Sequence, residues 1–369
     1  MPCLRPLVPL LLLALLAALP AAAGARTLTD MAGRTVALPD RVERVVCSGP
    51  GSLRLLCYLQ RQGLAVAVDG IERRGTVVET RPYGLANPGL RELPLFGEAR
   101  GVDNPELLAA LDPAPQVVLK VDFGSGTDPD LLTAKTGLPV VVLYYGDLGA
   151  RRDVLDRALR LMGEVVHARE RAEAVIGLFD AWEQDLLART ADLPEGKRPR
   201  CYLGGLAMRG LHGFASTEPA YAPFRLGGGR NVAAELNPPG AELAHADVAK
   251  EQIAAWDPDA VFLDLATTTL GEDAGGLHDL RTDPAYALLS AAAGGRVYGV
   301  LPYNSYAANF GSVFANAYFV GKTLHPDRFA DVDPAARADA IYTALVGRPV
   351  FGRMQQGFGG RAFTRLRVR

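Results

Sequence analysis

Tyrosine, arginine and histidine supply the candidate chemistry of this chain, at positions where predicted strands run out into loops. Tyr303, Asn304 and Tyr306 follow directly on an apolar run, and Arg209, His212 and Tyr221 lie in a long loop-rich stretch. Nearer the start, Arg81-Pro-Tyr83 sets a cation beside an aromatic, and Arg100, between Gly97 and Gly101, offers another cation. Ser48-Gly-Pro-Gly-Ser52 has two readings: backbone N–H groups and Ser52 meeting an anion at a helix start, or a tight turn that needs glycine. Phenolate and imidazole coordinate ferric iron directly, whereas arginine and tyrosine hydroxyls grip the oxygens of a chelate or an oxyanion. His212 and Tyr303 are the candidates for direct metal contact. No His/Asp/Glu spacing marks a preformed cage, so an ordinary loop histidine stays open for His212. His167, His278 and His325 are expected in solvent, and His245 at a helix start.

Catalytic signatures are missing. Phe123-Gly-Ser-Gly126 fails the nucleophile-elbow pattern at its first position, and Asp122-Phe-Gly124 lacks every motif that accompanies it in kinases. There is no HExxH, no Rossmann fingerprint and no CxxC. A binding role fits better than catalysis, with an exported enzyme or a sensor on the same fold as the alternatives.

The elements that must position these residues alternate. After a hairpin over residues 27–39, strands are expected at 44–47, 64–68, 116–121 and 138–144, with helices at 52–62, 106–111 and 128–136. Such alternation implies a mostly parallel sheet covered on both faces. Residues 150–193 carry only helix signals, with Ala172, Val175, Ile176, Phe179 and Trp182 at helical spacing and a break expected near Gly163. The alternation resumes with strands at 201–204, 260–264 and 296–301. The expected fold is therefore α/β: two Rossmann-like lobes, residues 26–149 and 194–369, joined by a long backbone helix within 150–193.

A repeat marks both lobes. Glu106-Leu-Leu-Ala-Ala-Leu-Asp-Pro113 and Glu251-Gln-Ile-Ala-Ala-Trp-Asp-Pro258 each precede an apolar strand run. Each reads as a short helix with a carboxylate in its first turn, where the helix dipole favours it, stopped by Asp-Pro.

Arg5, the apolar run at 7–16 and Ala23-Gly24-Ala25 describe a secretory signal peptide cut after Ala25, which places the mature protein in the periplasm. Removing it takes one of 39 basic residues against 41 acidic ones, so the mature chain is slightly negative and gives no reason to expect nucleic acid. The basic end (Arg361, Arg365, Arg367, Arg369) reads as a solvated tail. Cys47, Cys57 and Cys201 remain, without zinc spacing; buried thiols are expected, a Cys47–Cys57 bridge being the alternative.

Taken with Thr29-Asp-Met-Ala-Gly-Arg-Thr-Val-Ala-Leu-Pro-Asp-Arg-Val-Glu-Arg-Val-Val46 and the helix-bridged lobes, the chain resembles the substrate-binding proteins of ABC importers for ferric siderophores, haem and cobalamin. Leu203-Gly-Gly, His212-Gly, Ser216-Thr-Glu-Pro, Leu301-Pro-Tyr-Asn-Ser-Tyr306 and Asn316-Ala-Tyr-Phe-Val-Gly-Lys-Thr-Leu324 are similar to the iron-type metal receptor branch. The resemblance implies a monomeric receptor with no intrinsic cofactor, carrying a metal complex to an inner-membrane ABC permease. It further implies that Glu106 and Glu251 dock on permease arginines. A molybdate/tungstate-type oxyanion receptor belongs to the same structural class, so the ligand stays open between the two.

Overall fold

The structure is a computed structural model that describes residues 25–368. Apart from Ala25, the expected signal segment lies outside the described residues. The hairpin expected at the entry forms from β1 (Ala25–Thr29) and β2 (Thr35–Pro39), with Val36 and Leu38 turned inward in a period of two.

The first lobe is a six-stranded sheet of β3 (Val45–Ser48), β4 (Ala65–Asp69), β5 (Leu95–Glu98), β6 (Val102–Asp103), β7 (Val117–Val121) and β8 (Val140–Leu143). Their order is β6-β5-β4-β3-β7-β8, parallel except for the antiparallel β5–β6 pair. The valine-rich runs suit strands buried on both faces. Val45, Cys47, Val117, Leu119 and Val141 join the main core, whereas Val46, Val118 and Val140 pack with Phe96, Leu108 and Leu132 on the opposite face. At ~1.5–3 kcal/mol for each fully buried aliphatic side chain, this two-sided burial fixes the register of the sheet.

The second lobe contains β9 (Arg200–Gly204), β10 (Ser216–Thr217), β11 (Arg230–Asn231), β12 (Ala246–Asp247), β13 (Ala260–Asp264) and β14 (Val297–Val300). Parallel strands run in the order β11-β9-β13-β14, and β10 pairs antiparallel with β12 at its side. Two helices cross between the lobes, Arg152–Val165 and Arg169–Arg189. The break falls at residues 166–168, where His167 has a φ of 53°, a few residues beyond the expected Gly163. Phe179 of the longer helix touches Tyr58 of the first lobe and Phe310 and Phe314 of the helix Phe310–Leu324. One aromatic cluster thereby ties bridge and both lobes into a single core.

Both repeat helices are present. Pro105–Ala109, capped by Asn104, leads to β7, and Lys250–Trp256 leads to β13; Glu106 and Glu251 are exposed in their first turns. The C-terminal arginines depart from the expected solvated tail. Arg361 pairs with Glu272 at 3.0 Å, Arg365 donates to the carbonyls of Gly294 and Gly295, and Leu366 and Val368 are buried. Apolar residues between the arginines fasten the segment to the lobe. Cys47, Cys57 and Cys201 are free and buried, as expected of packed thiols. No helix among the described residues is long and apolar enough to cross a membrane.

Candidate functional site

In open parallel sheets, ligands meet the carboxyl ends of strands where the strand order reverses. In the first lobe that point lies between β3 and β7, in the second between β9 and β13. The carboxyl ends carry Ser48 (β3), Asp69 (β4), Gly204 (β9) and Asp264 (β13). A cavity of about 690 Å3 is walled by Asp147 and Leu148 after β8 and by Glu218, Tyr221, Tyr303 and Asn304 of the second lobe. That size suits a small organic molecule or complex. Arg198, Arg200, Arg225 and Arg230 are also in its lining; the four strand-end residues themselves do not line it.

The inner wall is acidic and phenolic. Tyr303 donates its hydroxyl to Glu218, and its ring lies 5.9 Å from that of Tyr221. Burial pushes the Glu218 carboxyl up to about 8, helped by the charges of Asp264 and Glu242. Asp264 is pushed up to about 7 by burial, against backbone hydrogen bonds from Ala266 and Ala207 that favour its ionised form. Near neutral pH these two carboxyls therefore stand close to their protonation midpoints, and a cation reaching them would displace protons.

The lobes are latched across the loop 301–309. Tyr306 donates to Asp69 and accepts the backbone N–H of Arg100 at 2.8 Å. Burial raises the Asp69 carboxyl to about 7, with the Tyr306 hydrogen bond opposing the shift. Arg54, fully buried, spends all five of its N–H groups here: on Asn309 Oδ1 (2.9 Å), Tyr145 Oη (2.6 Å) and the carbonyls of Ala308, Ser305 and Tyr306. A rigid guanidinium fork serves several acceptors at once, which one ammonium could not do in the same geometry.

A model of the periplasmic binding protein family matches residues 45–303, most of the chain. The chain belongs to the periplasmic binding protein family. Proteins of this kind bind small ligands and work with ABC permeases. This binding protein is similar to the molybdate-binding protein MolA of Haemophilus influenzae, at 24% identity over 84% of this chain and 87% of that one. The molybdate-bound structure of MolA superposes with a TM-score of 0.67 at 20% identity, covering 88% of this chain and 98% of the other. A periplasmic solute-binding protein of Veillonella parvula gives 0.68 at 18% identity, over 90% and 96%. CeuE of Helicobacter pylori, in complex with Ni-His, gives 0.59 at 13%, over 88% and 96%. At such identities the solved structures speak for the fold: two α/β lobes and a helical bridge.

Within this binding protein the sequence-selected residues divide into three groups. Tyr221, Tyr303 and Asn304 line the cavity, and Tyr306 with the backbone of Arg100 forms the latch beside it. Arg209 and His212 lie on the loop after β9; Arg209 is exposed, with a φ of 58°, and His212 is half-buried. Ser52, Arg81 and Tyr83 are instead buried, and the fold itself occupies their polar atoms. Ser52 Oγ donates to Leu119 O at 2.7 Å, Arg81 is held by Glu72 and Glu79, and Tyr83 donates to Glu72 at 2.6 Å. The Gly-rich turn is a steric turn: a Cβ on Gly51 would stand 2.1 Å from the ring of Tyr145.

Sequence reasoning passed over Asp69, Glu218, Asp264 and Arg54. Asp69 and Asp264 each end an apolar strand run, a position where a carboxylate faces the cleft, and that signal was legible. Glu218 sits in Ser216-Thr-Glu-Pro, and nothing in that motif announces a carboxyl at the cavity wall. Arg54 lies between leucines of the helix Ser52–Tyr58, and its partners come from residues more than 90 positions away.

Proposed function

We propose that this protein is a receptor for a metal complex of the ferric siderophore, haem or corrinoid type, delivered to an ABC permease. One observation carries the choice of cargo: the charge balance of the cavity wall and the buried side chains. Half-buried Glu218 stands with Tyr221 and Tyr303 at the cavity, and buried Asp264 lies near enough to raise its carboxyl. Of the arginines in the cavity lining, Arg198 and Arg225 pair with Glu195 and Glu183, and Arg200 donates to the carbonyls of Trp256 and Asp257. The fully buried basic groups among the described residues are neutralised within the fold. Arg54 is saturated by oxygens, Arg81 by two glutamates, and Lys120 by Asp103 at 2.6 Å, Gly101 O and Ser48 Oγ. A bare dianion placed against Glu218 would be disfavoured by the ionised fraction of that carboxyl, since like charges repel more strongly where water is scarce. A complex with metal charge or hydrogen-bond donors at its surface is favoured there.

The oxyanion reading has its own support, the similarity to MolA and the exposed Arg100 and Arg209, whose side chains make no hydrogen bond among the described residues. Glu106 and Glu251, exposed and dipole-favoured, are the proposed permease contacts. The test of the cargo is native mass spectrometry of the mature protein, purified from its own periplasm without chelators. An intact organic metal complex on the protein is the expected result. A molybdate-sized adduct, or titration showing affinity for molybdate and none for haem, ferric chelates or cobalamin, would overturn it.

A further inference from the structure

Outside the latch and the inner wall, two histidines and an aspartate converge. His212, His245 and Asp247 each bring a ligand atom within 4.8 Å of the others, and the two imidazole rings lie 5.3 Å apart. We propose that these three side chains form a binding site for a divalent first-row transition-metal ion, with coordination positions left open. The proposal goes beyond the cargo reading and does not depend on it.

The backbone sets the trio in place. His245 and Asp247, two residues apart on the extended segment entering β12, share a face. In the β10–β12 pair Asp247 lies opposite Ser216, and the His212 carbonyl is pinned by Thr267 Oγ1 at 2.6 Å. Hydrogen bonding then selects the tautomers. Met208 O, a carbonyl, can only accept, so His212 Nε2 carries the proton shared with it at 2.9 Å and Nδ1 keeps its lone pair. Ser216 gives its single hydroxyl proton to Leu206 O at 2.8 Å, and therefore accepts from His245 Nε2 at 3.0 Å. His245 Nε2 also lies 3.7 Å from Asp247 Oδ1, and a turn of the exposed Asp247 side chain lets Nδ1 serve as the ligand atom.

Each imidazole is thus oriented through Nε2, as metal-ligating histidines are when a carbonyl or hydroxyl holds one ring nitrogen and the other faces the metal. Two imidazoles and one carboxylate suit iron, cobalt, nickel, copper or zinc in the divalent state, and suit calcium or magnesium poorly. At metal–nitrogen distances of about 2.0–2.1 Å the ligand atoms must close to roughly 3.3 Å, a movement within reach of the exposed Asp247 side chain. Three protein ligands leave at least one position for an outside donor. The site borders the cavity, since Ala244, next to His245, lines it, and Ser216 lies two residues before Glu218.

The test is titration of chelator-stripped mature protein with Co2+ and with Zn2+, following the visible absorption of bound cobalt and the heat of zinc binding. One equivalent should bind, unaffected by excess Ca2+ or Mg2+. Ser216→Ala, which removes only the support of His245, should weaken binding ~10-fold, and His212→Ala or His245→Ala by more than that. Circular dichroism checks the fold; His212→Gln and His245→Gln replace the alanine variants if those unfold. Absence of binding at about 1 mM metal, or equal affinity in the wild type and the histidine variants, would overturn the site. Cargo binding, assayed in the same preparations, separates the two readings: cargo retained without metal binding sinks the site alone, and metal bound without any metal-complex cargo sinks the cargo reading alone.

Discussion

Glu218 is the cavity-lining carboxyl whose titration is most displaced by the fold. Its carboxyl stands at about 8, pushed up by burial, against about 4.3 for an unfolded glutamate. Between those values the folded protein holds a proton that the unfolded chain releases, so rising pH costs stability. The contribution is fully present below the unfolded value and is lost as pH climbs through about 8. Glu218→Gln should therefore gain stability relative to the wild type as pH rises from about 5 to 8, read as thermal midpoints across that range; parallel curves would refute the assignment. Arg54 is the second decisive residue. Arg54→Leu leaves Tyr306 O and Asn309 Oδ1 without a donor and Ser305 O with only a long one, at ~1–3 kcal/mol for each group left unsatisfied. A combined loss of ~3–5 kcal/mol in urea unfolding is expected, and a loss below ~1 kcal/mol would show that water serves these acceptors equally well.

Among the elements, the turn between β3 and the helix Ser52–Tyr58 shows what its glycines do. Gly51 has a φ of 86° and lies under the Tyr145 ring, whose hydroxyl in turn holds Ala308 O at 2.7 Å. Gly124 also has a positive φ, 74°, but a Cβ there would meet nothing within 4 Å. Gly124→Ala should then cost only the backbone penalty, ~1 kcal/mol, and Gly51→Ala that penalty plus a clash, ~2–4 kcal/mol. Equal losses in thermal unfolding would mean that the Tyr145 contact is slack. The valine-rich strands β3, β7, β8 and β13 were legible because a run buried on both faces has one reading. β5 and β6 were not: Leu95–Glu98 is short, and β6 joins the sheet only through pairing with β5. Between β13 and β14 the chain forms the short helices Gly276–Thr282, Pro284–Ala287 and Ser290–Ala293, with Leu288 exposed between the last two.

For the whole molecule, the proposed docking on a permease uses the two acidic helix starts as a pair at fixed separation. One exposed Glu–Arg contact is worth only ~0.2–1 kcal/mol, but two on a rigid body orient the encounter. The aromatic cluster around Phe179 and the Arg54 latch supply that rigidity. Charge reversal at both sites, Glu106→Arg with Glu251→Arg, should abolish uptake in cells while the purified protein keeps its affinity for ligand. Loss of affinity instead would place these residues in the ligand site.

By itself the sequence determined the elements and their alternation, the helical bridge, the two acidic helix starts and the aromatic strand ends Tyr303 and Tyr306, because burial periodicity, capping and strand-end position are local in the chain. Only the tertiary structure decided which polar groups remain for a ligand. Arg81 and Tyr83 are consumed by Glu72 and Glu79, and Ser52 by Leu119 O. Glu218 gains its shifted carboxyl, and His245 its place beside His212, from contacts between segments far apart in the chain. The physical reason is that a side chain's availability depends on its partners and its distance from water, and both are set by packing.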